Sequence, residues 1–81
     1  MMNYDEIWAY SYERIRAYLL DLGASEIEGV FILPACKITL RKLPDRMVSG
    51  LAFSQTHVLI SGPEADRFHH QFKLHFLSGG G

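Results

Sequence analysis

The chain predicts an α+β fold: a two-layer sandwich of order α-β-β-β-α, with an antiparallel sheet and both helices on one of its faces. Three observations lead there. The two ends carry apolar residues at helical spacing, the middle alternates apolar and polar residues, and the links between strand candidates are too short for parallel crossovers. The last strand is expected to be split or bulged.

The spacing predicts a first helix over 3–22. Asn3 stands as its cap, Glu6 completes a capping box, Met2 and Ile7 are spaced as a hydrophobic staple, and Gly23 ends it. At about 100° per residue, Tyr4, Ile7, Trp8, Ile15, Leu19 and Leu22 fall on one arc of roughly 140°. Ser11 lies inside that arc, where its hydroxyl is expected to bond back to a carbonyl rather than act as a nucleophile. Residues 24–28 read as a polar connection. Val30-Phe31-Ile32-Leu33 is a short strand broken by Pro34.

Cys36 to Arg41 alternates, with Cys36, Ile38 and Leu40 towards the core and Lys37, Thr39 and Arg41 towards solvent. Residues 43–50 read as a loop because of Pro44-Asp45 and Ser49-Gly50. From Leu51 to Ser61 the pattern changes parity: Leu51 and Phe53 share one face, Val58 and Ile60 the other. A bulge or irregular bend is expected around residues 54–56. A second helix follows, opened by Pro63 at its first position with Glu64 and Asp66 at its positive end, and closed by Gly79. Ala65, Phe68, Phe72 and Phe76 form its apolar face.

At 81 residues the chain is read as one domain over 1–78 with a flexible glycine tail over 79–81. A domain of this size buries roughly 60–65% of its unfolded surface, so burial through association would matter to it. One cysteine excludes an internal disulfide framework and suggests a reducing compartment. Acids near the N-terminus, where a signal peptide carries positive charge, and the lack of any long apolar run make a cytoplasmic location and no membrane the expectation. The formal charge of -1 argues against a generic polyanion binder.

No catalytic constellation emerges, and an enzyme is the least supported reading. His69, His70 and His75 lack the i,i+4 spacing of a helical metal site, so they read as margins of the phenylalanine face; no metal or cofactor is expected. Cys36 sits on the core-facing parity, where a thiol is inert, which disfavours a pairing with His57. Two thin layers leave little room for a pocket.

Two surfaces remain. His70, Leu74 and Leu77 stand at i, i+4 and i+7, nearly opposite the phenylalanines, and mark an interface. The expected function is therefore a small non-catalytic protein-interaction module: a homo-oligomer joined through the C-terminal helix, or one bound to another protein. The alternative uses Lys37, Arg41, Lys42 and Arg46 as an anion- or nucleic-acid-binding segment. They contrast with the six acids and two bases found up to Glu28. No aromatic residue is expected among them on the strand face, as base stacking would need.

Overall fold

A computed structural model describes residues 3–78, with the side chains of Leu77 and Ser78 outside that description. The elements run β1 (Tyr4–Trp8), α1 (Tyr12–Asp21), β2 (Ser25–Ile27), β3 (Val30–Leu33), β4 (Cys36–Val48), β5 (Leu51–Ser61) and α2 (Ala65–Ser78). One antiparallel sheet has the order β1-β5-β4-β3-β2. Both helices pack on one face of it, since a single cluster joins Ile15 and Leu19 of α1 and Phe68, Phe72 and Phe76 of α2 to Phe31, Ile38, Leu40, Val58 and Ile60. The two-layer α+β sandwich is as expected, with two more strands than the sequence suggested.

The first difference is at the N-terminus. Residues 4–8 form a strand, and the helix begins only at Tyr12. Asn3 is thus not a cap, Glu6 is not a capping-box residue, and Met2 of the expected staple lies outside the described residues. Ser11 is the true cap: its backbone is extended and its hydroxyl oxygen accepts the Arg14 N–H at 3.2 Å. Tyr4, Glu6 and Trp8 face the helices while Asp5 and Ile7 face away, which is strand alternation. Thr56 fixes this entry from below. Fully buried on β5 opposite Trp8, it donates to the Tyr10 carbonyl at 2.7 Å. Thr56→Val keeps the shape but orphans that carbonyl, and is expected to cost about 1–3 kcal/mol in urea unfolding.

The second difference is in the hairpins. Residues 25–27, read as a connection, form β2, joined to β3 by Glu28 (φ 47) and Gly29 (φ 81). Positive φ at both central residues is the turn that matches strand twist. Ser49 (φ 51) and Gly50 (φ 80) repeat it between β4 and β5, so 43–48 are strand rather than loop. The irregularity expected at 54–56 is instead in β4. The pairing passes from Leu43↔Gln55 to Arg46↔Phe53, so β4 carries one extra residue there and Pro44 sits where no ladder hydrogen bond is required.

β5 therefore runs without interruption, and its parity change is real: Thr56, Val58 and Ile60 meet the helices, while Leu51 and Phe53 lie on the other side. β1 stops pairing at Thr56 and β3 at Thr39. Beyond them β4 and β5 continue as a two-stranded arm, which stretches the molecule to 41 × 28 × 23 Å. Pro63 precedes α2, within the usual uncertainty of a helix start. The Gly79 cap and the glycine tail lie outside the described residues.

Candidate functional site

The sheet has one face under the helices and one open face. On the open face, alternation from β2 to β1 brings Ile27, Ile32, Leu59 and Ile7 to the body of the sheet, and Val48, Leu51 and Phe53 to the arm. All seven are exposed, Ile7 and Ile27 at 61% and Leu51 at 62%. Val30 and Thr39 fill the row between Ile27 and Leu59. This is apolar surface of a size that a solvated face does not need.

Through it runs a line of cations on β4. Lys37 and Arg41 alternate outward as expected, and the extra residue at 44–45 returns Arg46 to the same side. Among the described residues these three form no ion pair. Lys42 does not join them. It reaches Glu13 of α1 at 3.4 Å on the helix side; the backbone hydrogen bond at Glu13 first, and then this cation, hold the Glu13 carboxyl below its ordinary value. The strand face is also not free of rings. Phe53 stands directly opposite Arg46 and His57 opposite Arg41, because β5 delivers its odd residues to this side. His57 is engaged by Asp5 of β1 at 2.5 Å.

The other expected interface lies on α2. His70 and Leu74 are exposed on its outer surface, Leu74 at 52%, while the Leu77 side chain lies outside the described residues. His69 and His75 flank the phenylalanine face as the spacing implied: His69 stacks on Tyr4 (3.8 Å between centroids) and His75 on Tyr18 (4.2 Å). Cys36 is half-buried; burial, and then Glu64, push its thiol up, away from the thiolate a nucleophile needs. It lies five residues along the sheet from the Arg41↔His57 pair, about 16 Å by strand rise, so Cys36 and His57 do not meet. Among the described residues no three histidine, cysteine or carboxylate side chains converge. No described helix is long and apolar enough to cross a membrane.

A feature absent from the sequence reading is a cleft of about 300 Å³ where the chain leaves β1 beside α2. It is lined by Ile7, Trp8, Ala9, Tyr10, Lys73 and Phe76. Its walls are held firmly: Trp8 meets Phe72 edge-on at 4.2 Å, and Tyr10 packs on Phe76 at 4.7 Å. Glu6 anchors the rim, accepting from the Trp8 indole N–H at 2.7 Å and bonded to His69 at 2.9 Å, with Lys73 at 3.8 Å. Burial pushes the Glu6 carboxyl up, but the hydrogen bonds from His69 and Trp8, with the nearby cations, outweigh it and hold the group below its ordinary value.

That sign gives a pH dependence. The Glu6 contribution is complete above the unfolded value near 4.5 and is lost as pH falls through the lower folded value. Glu6→Gln is expected to flatten the acid limb of a Tm-against-pH profile below about pH 4.5. An acid limb as steep as in the parent would show that the contribution lies elsewhere.

The signal for this cleft was unreadable in one dimension, because it needs β1 and α2 side by side. Neither a protein-family model nor a characterised protein sequence matches the chain.

Proposed function

We propose that the protein is a non-catalytic protein-interaction module whose contact surface is the open face of the sheet with its arm. One observation carries the reading: seven large exposed apolar side chains share that face with three cations that form no ion pair among the described residues. An apolar surface crossed by Lys37, Arg41 and Arg46 complements a protein surface that is apolar and bears carboxylates. A second copy applied face to face would bring two rows of the same cations together, which opposes self-association there.

The arm supports the same reading. A two-stranded ribbon is marginal in water by itself, and its outer face carries Val48, Leu51 and Phe53, which no described residue covers. Association through His70, Leu74 and Leu77 has less behind it, since among the described residues Leu74 is the one large apolar side chain that α2 exposes. A photoreactive residue at position 53 is expected to cross-link a different protein in cells, and Arg41→Glu with Arg46→Glu is expected to abolish the adduct. Adducts that survive the double reversal, or that form equally from position 74, would sink the proposal. An adduct at twice the mass of this chain would replace it with a homodimer, confirmed by sedimentation equilibrium at micromolar concentration.

A second reading rests on the register itself. Phe53 opposite Arg46 places a ring beside a cation on one strand face, as a single-stranded nucleic-acid platform does. It is the less supported because the surrounding residues are aliphatic, His57 is held by Asp5, and the net charge is -1. Anisotropy of a labelled mixed RNA at low salt decides it: binding that falls steeply with salt and with Arg41→Glu favours this reading, and a flat titration removes it.

A further inference from the structure

The cleft beside β1 is built differently from the open face. β1 is an edge strand, paired with β5 on one side only, so half of its main-chain donors and acceptors point away from the sheet. The cleft continues that same edge: Ile7 and Trp8 belong to β1, Ala9 and Tyr10 extend it, and Lys73 and Phe76 close it from α2. An open ladder edge beside a groove roofed by a helix is the arrangement in which an added strand gains affinity from main-chain bonds and selectivity from side-chain pockets.

Volume and charge narrow the occupant. About 300 Å³ is the lower end of ligand pockets, room for one large side chain rather than a whole cofactor. The cleft carries one cation: Lys73 lies 5.4 Å from the centre of the Trp8 ring. Glu6 lies 3.8 Å from Lys73, beyond hydrogen-bond distance, and its carboxylate is already bonded to His69 and the Trp8 indole, so the Lys73 ammonium keeps its donors for a second carboxylate. We propose that an extended peptide adds to β1 as a sixth strand, seats one apolar side chain against Trp8, Tyr10 and Phe76, and presents a carboxylate to Lys73. This is independent of the sheet-face reading, since none of those residues but Ile7 belongs to both surfaces.

Trp8 is the only tryptophan, so its emission reports on the cleft directly. The probes are hexapeptides alternating threonine with leucine, valine or phenylalanine and ending in a free carboxylate, each with an amidated twin and a twin N-methylated at alternate residues. The carboxylate peptides are expected to shift Trp8 emission and to slow hydrogen exchange of amides in β1. Amidation of the peptide, or Lys73→Met in the protein, is expected to weaken binding about ten-fold. N-methylation on the ladder-facing register removes the main-chain bonds without altering the protein, and is expected to abolish binding. Equal affinity of N-methylated peptides, or of N-acetyl-leucine alone, would overturn strand addition. Indifference to both amidation and Lys73→Met would overturn the carboxylate contact. No change in emission or amide spectrum with any peptide at millimolar concentration would overturn the whole.

Discussion

Gly62→Ala is expected to destabilise the protein by roughly 2–4 kcal/mol, although it adds one methyl group at a half-buried position. Gly62 joins β5 to α2 with φ of 120°, a conformation that side chains resist. The space is also filled: an added Cβ would lie 2.9 Å from the Ala35 carbonyl oxygen and 2.9 Å from the Cys36 Cα. Both are backbone atoms, and the Ala35 carbonyl is tied down because it accepts the Glu64 N–H at 3.0 Å. Relief would therefore need the β3–β4 turn or the start of α2 to move. Gly23→Ala is the internal comparison. Its φ is 91°, but nothing lies within 4 Å of the added atom, so about 1 kcal/mol is expected. Urea unfolding of both variants checks this, and equal losses would show that the close approach relaxes without cost.

Phe72→Ala is expected to cost about 3–5 kcal/mol. Phe72 is fully buried at the centre of the helix layer, with ring contacts to Trp8 at 4.2 Å, Tyr18 at 5.0 Å, Phe68 at 5.4 Å and Phe76 at 4.9 Å. It thus joins β1, α1 and both neighbouring turns of α2. A domain of this length has roughly 4–12 kcal/mol in total, so the variant should be largely unfolded at 37 °C or close to it. Phe68→Ala removes a ring of the same size at a site 7% exposed with a single ring neighbour, and is expected to cost less. Thermal unfolding followed by circular dichroism gives the ranking; a Phe68 loss exceeding that of Phe72 would place the centre of the core elsewhere.

Much of the frame was legible from local pattern. The four-residue spacing of Phe68, Phe72 and Phe76 and the alternation from Cys36 to Arg41 each have one geometric solution that buries their apolar members, and those faces are the buried ones. Tyr4 to Trp8 misled because Tyr4, Ile7, Ile15, Tyr18 and Leu22 also fit helical spacing. What decided the matter was tertiary: β5 pairs with this segment, and Ser11 supplies a local cap later in the chain. Pro44 misled in the opposite direction, since a proline inside a strand is tolerated at a bulge. The surface followed the same rule. Lys37 and Arg41 were readable from alternation, whereas the place of Arg46 depended on one extra residue in β4. The facing of Phe53 onto it depended on a register that only pairing defines.

The sheet order has a consequence for how the chain closes. β2 with β3, β3 with β4, and β4 with β5 are all neighbours in sequence, each joined by a two-residue turn. Only β1 with β5 joins strands far apart in sequence, Tyr4 with Ile60. The entropy of loop closure is thus concentrated in one pairing, and every other strand contact is local. That pairing also positions Trp8 under Phe72 and carries the exposed edge. The strand pairing most distant in sequence is therefore the one on which the cleft depends.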